Sequence, residues 1–176
     1  IIVIALMGIV PAEKGDKTLT IPVSMGCKPQ GVVVAKWAVY SGVLFLLTVS
    51  GVAFAYFYSG LLLGDSFASW GAVLKAGALQ SLYYSFVLGL LILLGTFFRK
   101  PFFAGVLTLA VVYGMSAIGS VLPGITRYLP GQMLTEAGFF EFLPSKDLMV
   151  SMLWTCGCIA IFLIVSGAKL AWDELV

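Results

Sequence analysis

The sequence predicts an all-α, polytopic transmembrane helix bundle, and three observations support this fold class. The chain is 61% hydrophobic and 10% charged, whereas a soluble domain carries about 25% charged residues. Its apolar residues are continuous and do not alternate with polar ones, which argues against a β-barrel. Four stretches of 28, 23, 26 and 21 residues hold no charge, between Lys36 and Asp65, Lys75 and Arg99, Lys100 and Arg127, and Asp147 and Lys169. About 20 apolar residues are enough for a helix to cross the bilayer core.

The elements follow in order from these stretches, because backbone groups in hydrocarbon must be satisfied within a helix. Residues 1–11 are apolar, end at Pro11 and are too short to cross. We expect them to be the end of a truncated span, so that the sequence is a fragment. The single transmembrane domain 1–176 then consists of a polar loop at 12–36, complete spans at 37–63, 78–98, 102–122 and 149–168, and a connection at 123–148.

The basic residues predict how the bundle is oriented, because cytoplasmic loops carry an excess of Lys and Arg. Seven basic residues fall on the side that holds the 12–36 loop, the Arg99-Lys100 turn and the C-terminal tail, against three on the other side. We expect the first side to be cytoplasmic, with Lys36, Arg99 and Lys100 as anchors at helix ends. The predicted location is the cell membrane, with a cytoplasmic C-terminus and an extracellular 123–148 connection.

The composition argues against most enzymatic chemistry. The chain has no histidine, and the predicted spans hold no acidic or basic side chain, although general acid–base catalysis needs such groups at the reacting centre. No GxxxxGK[ST] pattern occurs, so we expect no ATP hydrolysis by this chain itself. Cys156 and Cys158 are two positions apart in one span and point to different faces, which favours packing over a disulfide. We expect no cofactor and no metal site, and the net charge of +2 does not indicate nucleic acid.

Small and hydroxyl-bearing residues in the spans allow two interpretations. They either line a substrate path or let helices pack closely, and packing is the commoner use. Tyr83 and Tyr84 raise the same question, since aromatic residues in a span are more often lipid-facing or in the core. The small residues are Ser41, Gly42, Thr48, Ser50, Gly51, Gly114, Ser116, Gly119 and Ser120.

The polar loop carries a resemblance to a known family. Residues 13–19 read EKGDKTL, residues 21–24 read IPVS, and Lys36 precedes a long apolar helix. This order resembles a recurring stretch of ABC-type-2 exporter permeases. The basic turn at Arg99-Lys100, the segment LPGQ at 129–132 and the acidic tail WDE at 172–174 follow in the order of that family.

The resemblance implies a six-helix permease half, of which this chain would keep the end of helix two and helices three to six. It also implies a coupling helix in the loop, docked on a separate ABC ATP-binding subunit, and a second permease half that pairs with this one in the lipid bilayer. In the 123–147 region it implies short re-entrant or interfacial helices, with Phe139, Phe140, Phe142 and Leu143 dipping into the interface. The residues implied to contact the ATP-binding subunit are Glu13, Gly15, Thr18, Leu19, Pro22 and Val23.

Two other classes of function remain open at the level of sequence. A non-transport membrane assembly or immunity protein that acts by partner binding would also have apolar spans without charge. An intramembrane enzyme would need clustered reactive groups, and Glu136 and Glu141 form the only pair of glutamates on the external side. Such loop carboxylates are more often solvated charges than catalytic ones.

Overall fold

The computed structural model describes residues 2–8, 28–63, 69–98, 100–122, 124–139 and 146–174. These residues form six α-helices and one 3-10 turn, and no strand occurs among them. The helices are α1 (Ile2–Leu6), α2 (Pro29–Leu63), α3 (Trp70–Phe97), α4 (Pro101–Val121), α5 (Gly131–Phe139) and α6 (Lys146–Glu174), and the 3-10 turn Thr126–Tyr128 precedes α5.

Four of these helices are long and apolar enough to cross a membrane, namely α2, α3, α4 and α6. Each contains one predicted span, apart from Phe98 and Leu122, which cap the ends of α3 and α4 through their backbone N–H groups. The all-α transmembrane fold class is thereby confirmed, and the chain is a multi-pass membrane protein.

Two helices begin earlier than the charge pattern indicates. Helix α2 starts at Pro29, eight residues before the predicted span at 37, and α3 starts at Trp70, eight residues before 78. The start of α3 has a local cause: the Ser69 hydroxyl accepts a hydrogen bond from the Ala72 N–H at 3.3 Å and so satisfies one free donor of the first turn. Lys36 and Lys75 therefore lie inside helices, both half-buried, where a long side chain can still extend its charge toward the membrane surface.

The bundle has two ends, which we name after residues there. At the Lys100 end, Gln30 at the start of α2 packs on Gly167 near the end of α6, and Met7 packs on Gly105 near the start of α4. At the Arg127 end, the 3-10 turn and α5 pack on the other ends of α4, α3 and α6. Helices α2, α3, α4 and α6 run between the two ends.

Helix α3 lies at the centre of the bundle. It supplies residues to each of three apolar clusters: with α2 and α6 toward the Lys100 end, with α1 and α6 in the middle, and with α5 and α6 toward the Arg127 end. Leu88 and Ile92 are each 1% exposed. In the most apolar 18-residue stretch of α3, 61% of residues are buried, against 17% in the equivalent stretches of α2 and α4 and 22% in that of α6.

Close helix crossings occur where one partner is glycine. A Cβ at Gly77 of α3 would lie 3.2 Å from Val49 Cα of α2, and a Cβ at Gly167 of α6 would lie 3.1 Å from Gln30 Cα. The absent side chain lets the two backbones approach, which is how membrane helices gain packing contacts when lipid is as apolar as their side chains.

Candidate functional site

A groove runs along one side of the bundle between α3 and α4. It consists of two cavities, of about 340 and 610 Å3, that share Tyr83, Val112, Ser116 and Leu134. We call the joined cavities the tyrosine groove. Its walls are Val3, Tyr83, Tyr84, Phe86, Val87, Leu109, Val112, Tyr113, Met115, Ser116, Gly119, Ser120, Thr126, Leu129, Pro130, Gly131, Gln132, Leu134 and Thr135.

The groove is uncharged but carries many hydroxyl groups. None of its described lining residues is acidic or basic, whereas three tyrosines, two serines and two threonines contribute hydroxyls. The rings of Tyr83 and Tyr84 meet edge to face, with centroids 5.8 Å apart. Gln80 donates a hydrogen bond to the Tyr84 hydroxyl oxygen at 2.9 Å, which orients that ring from outside the groove. An apolar surface with a few oriented polar groups is the usual chemistry of a small-molecule site.

The 3-10 turn closes the groove at the Arg127 end. A Cβ on Gly119 would lie 3.0 Å from Leu129 Cδ1, so the turn can approach α4 this closely because residue 119 is glycine. The Ser151 hydroxyl of α6 donates to the Leu129 carbonyl at 2.9 Å and holds the turn from the opposite side. This end of the groove is therefore held by two helices.

Helix α5 completes the wall of the tyrosine groove at the Arg127 end. Met133 is fully buried and Ala137 is 9% exposed, and both pack on Ala76 and Leu79 of α3. Leu134 and Thr135, on the other side of the helix, face the groove. The connection at 123–148 thus contains a short helix packed into the bundle, while Phe139 at its end is 67% exposed and open to lipid or solvent.

Helix α1 borders the groove toward the Lys100 end. Val3 lines the larger cavity together with Val87 and Leu109. Met7 lies against Gly105, where an added Cβ would be 3.2 Å from the Met7 Cβ. Toward this end the larger cavity is therefore bordered by apolar side chains of α1, α3 and α4.

The residues implied to contact an ATP-binding subunit lie outside the described residues, as does Arg99. They are Glu13, Gly15, Thr18, Leu19, Pro22 and Val23. The structure does describe both flanks of that segment: Met7 packs on α4, and Gln30 packs on α6, both at the Lys100 end. Lys100 caps the start of α4 and is exposed, and Lys36 lies within α2 and is half-buried.

The small residues weighed from the sequence fit the two interpretations only in part. Ser116, Gly119 and Ser120 line the tyrosine groove. Gly42, Gly51 and Gly114 have open space where a Cβ would stand, so they make no close helix contact. The glycines at close crossings are Gly77, Gly105 and Gly167, which the sequence alone did not distinguish from the others.

Several groove residues were missed by the sequence reasoning. They are Tyr113, Gln132 and Thr135, and for Gln132 and Thr135 the single sequence gives no signal that marks a groove residue. Position 113 is exposed in the bundle, with 71% of the side chain accessible. One usable signal was present: Tyr83, Val87, Tyr113 and Ser116 recur at helical spacing of three or four on their helices, which places them on shared faces.

No group of three or more His, Cys, Asp or Glu side chains that could hold a metal ion occurs in the described part of the chain. Comparison with known proteins returned no family model, no curated protein and no solved structure that matches the chain.

Proposed function

We propose that this chain is the membrane-spanning permease subunit of an ATP-driven ABC exporter, and that it has no catalytic activity of its own. The tyrosine groove is the observation that carries the proposal. In this proposal it forms part of the translocation path, and a separate ATP-binding subunit supplies the energy by binding the 12–30 loop. The protein lies in the cell membrane with the Lys100 end and the C-terminus in the cytoplasm.

The chemistry of the groove supports transport. A path must bind its cargo well enough to admit it and weakly enough to release it. Tyrosine, serine and threonine hydroxyls give hydrogen bonds of modest net strength. None of the described lining residues is charged, so none would hold a cargo by an ion pair. The groove therefore suits a largely apolar cargo with a few polar groups.

The geometry of the chain ends supports the coupling loop. The described residues on either side of segment 9–27, Met7 and Gln30, both pack at the Lys100 end. One protein bound at that end would contact the starts of α2 and α4 and the end of α6. A rigid-body movement of such a partner would then be transmitted directly to packed helices.

The exposed faces of α2 and α4 are available to the remaining proposed partners, the bilayer and a second permease half. Large apolar side chains stand out on both helices, including Leu46 at 69% and Phe54 at 71% exposure on α2 and Val121 at 76% on α4. In a monomer they contact lipid chains. In a pair of permease halves part of this surface contacts the other half.

The partner is tested by co-purification. We expect the full-length protein to purify with an ATP-binding subunit, and Leu19→Glu or Pro22→Glu to abolish that complex, because a charge would enter an apolar contact. Thr20→Glu is the matched control and should leave the complex intact. Retention of the complex by both test variants would reject the coupling assignment. If no ATP-binding subunit binds at all, the non-transport alternative, an assembly or immunity protein acting by partner binding, becomes the better hypothesis.

The path is tested by filling the groove. Ser116→Trp places a large ring in both cavities, whereas Ala117→Trp places the same ring on the adjacent, exposed position outside the groove. We expect the first variant to lose export while still binding the ATP-binding subunit, and the second to export normally. Normal export by Ser116→Trp would reject the groove as the path and leave the coupling assignment standing.

A further inference from the structure

A polar cavity of about 420 Å3 lies at the Arg127 end and shares Thr126 and Gln132 with the tyrosine groove. Its walls include one cation and one anion, Arg127 and Asp147, both exposed. The side chains of Thr126 and Gln132 and the backbone of Gly124 complete it. A ligand in this cavity meets a guanidinium, a carboxylate and neutral hydrogen-bonding groups.

An apolar groove of about 320 Å3 lies next to this cavity along the outward face of α6. Its walls are Tyr128, Val150, Leu153, Trp154, Gly157, Cys158 and Ile161. Val150 and Ile161 are 11 residues apart, which corresponds to about 16 Å along a helix. Half of a roughly 30 Å hydrocarbon core is about the same length, so this α6 groove is about as long as one leaflet is thick.

Three side chains in contact, those of Arg127, Tyr128 and Trp154, lie between the polar cavity and the α6 groove. The Arg127 guanidinium carbon lies 4.8 Å from the centre of the Tyr128 ring, and the Tyr128 ring meets Trp154 edge to face at 6.3 Å. A cation over an aromatic face is held by the ring quadrupole. Tyr and Trp favour the level of the lipid headgroups, so we expect these two rings at the depth where a headgroup meets its acyl chains.

We propose that the polar cavity and the α6 groove together bind one phospholipid whose headgroup carries both a phosphate and an ammonium group. Arg127 binds the phosphate, because a guanidinium matches its oxygens with paired hydrogen bonds. Asp147 binds the ammonium group. An acyl chain lies in the α6 groove against Leu153 and Gly157. Lipid binding at this site does not require that the tyrosine groove be an export path, although the two share Thr126 and Gln132.

The headgroup follows from the charges. A purely anionic lipid would satisfy Arg127 but would bring a negative charge beside Asp147. A free phosphate would leave the α6 groove without an occupant. A zwitterionic phospholipid, such as phosphatidylethanolamine, satisfies both charges and the apolar surface at once.

The test is native mass spectrometry of the purified full chain in detergent, titrated with phosphatidylethanolamine, with phosphatidylglycerol and with soluble glycerophosphoethanolamine. We expect one molecule of phosphatidylethanolamine to bind with at least fivefold preference over phosphatidylglycerol. Arg127→Gln should weaken it about tenfold, the scale of a lost charge-assisted hydrogen bond. Lys146→Gln removes a neighbouring exposed cation that does not line the cavity, and should change binding less than twofold.

The headgroup and chain contributions are separated by two further variants. Asp147→Asn should reduce the preference for phosphatidylethanolamine over phosphatidylglycerol to near unity. Gly157→Leu should weaken both lipids, because it fills the α6 groove at a position where a Cβ meets open space and the fold is not strained. Gly51→Leu, also unobstructed but on α2, should bind as the unmodified chain does.

Three results would overturn the proposal. One is equal binding of the two lipids by the unmodified chain. Another is binding of soluble glycerophosphoethanolamine as tight as that of the lipid, which would mean an ion site without a lipid chain. The third is lipid binding by Gly157→Leu equal to that of Gly51→Leu. If Arg127→Gln does not fold, judged by its melting temperature, the two glycine variants decide the question.

Discussion

Helices α3 and α4 are nearly indistinguishable in sequence character but have opposite environments. Both are long enough to cross a bilayer and are rich in Leu, Val, Phe and small residues. Yet 61% of the most apolar stretch of α3 is buried against 17% in α4. The difference teaches that apolar character identifies a membrane helix without saying whether protein or lipid surrounds it, because lipid chains are as apolar as leucine.

One hydrogen bond in each helix illustrates the contrast. In α3, the buried backbone carbonyl of Ser85 accepts a hydrogen bond from the Trp37 indole of α2 at 3.2 Å. In α4, the buried Thr108 hydroxyl donates to the Ala104 carbonyl of its own helix at 2.7 Å. The first bond joins two helices, and the second leaves the helix self-contained. We therefore expect substitutions to be costly in α3 and mild in α4.

The largest contrast should come from matched leucine truncations. Leu88→Ala in α3 removes a side chain that is 1% exposed and leaves a cavity, which costs about 3 kcal/mol of unfolding free energy. Leu107→Ala in α4 removes one that is 38% exposed, and lipid fills the space, so the cost should stay below about 1 kcal/mol. Reversible unfolding in mixed micelles measures both. Equal losses would show that α4 is buried by a partner under those conditions.

Matched glycine substitutions should give the next largest contrast. Gly77→Leu in α3 would force its Cβ against Val49 Cα at 3.2 Å, and such overpacking costs about 2 kcal/mol. Gly114→Leu in α4 meets open space and replaces a poor helix former, so it should be neutral or slightly stabilising. Melting temperatures in one detergent give the comparison. A stable Gly77→Leu variant would mean that α2 and α3 can separate without cost.

The indole hydrogen bond between α2 and α3 should contribute about 1 kcal/mol. Trp37→Phe keeps an aromatic ring but removes the second ring of the indole with its N–H, and so leaves the Ser85 carbonyl without this donor. Trp172→Phe, at a residue that is 69% exposed, is the control and should change the unfolding free energy by less than about 0.5 kcal/mol. A loss in the control as large as in Trp37→Phe would refute a special role for the bond.

The smallest effect is expected inside α4. Thr108→Val removes a hydroxyl whose acceptor, the Ala104 carbonyl, lies in the same helix, so no contact between helices is lost. We expect a change within about 0.5 kcal/mol. Ser151→Ala is the comparison, because its hydroxyl bonds the Leu129 carbonyl 22 residues away and its loss should cost about 1 kcal/mol. A reversal of this order would contradict the distinction between local and bridging hydroxyls.

The sequence predicted helix identity well and helix ends less well. Charges marked the spans, since an ionised side chain is costly in hydrocarbon. They did not mark where α2 and α3 begin, since a helix continues past the membrane surface for as long as its backbone hydrogen bonds are satisfied. The start of α3 is set by Ser69, whose capping hydroxyl is recognisable only once the following helix is assigned.

Residues of the candidate site were predicted in part. Ser116, Gly119, Ser120, Tyr83 and Tyr84 were weighed as path-lining residues, and all of them border the tyrosine groove. Gly42 and Gly51 were weighed on the same grounds and have no close neighbour at their Cβ positions. The coupling residues from Glu13 to Val23 lie outside the described residues, so their role stays a prediction.

The amino-acid sequence alone predicted the membrane environment, the all-α class and the approximate position of each span. It could do so because the bilayer requires long uncharged helices whatever their neighbours are. Only the tertiary structure decided that α3 is central, that α4 faces outward, and that Tyr83, Ser116 and Gln132 share one groove. The physical reason is that the protein core and the surrounding lipid are equally apolar, so hydrophobicity does not separate core-facing from lipid-facing residues. Which faces meet is then decided by the fit of side chains at crossings such as Gly77 against Val49.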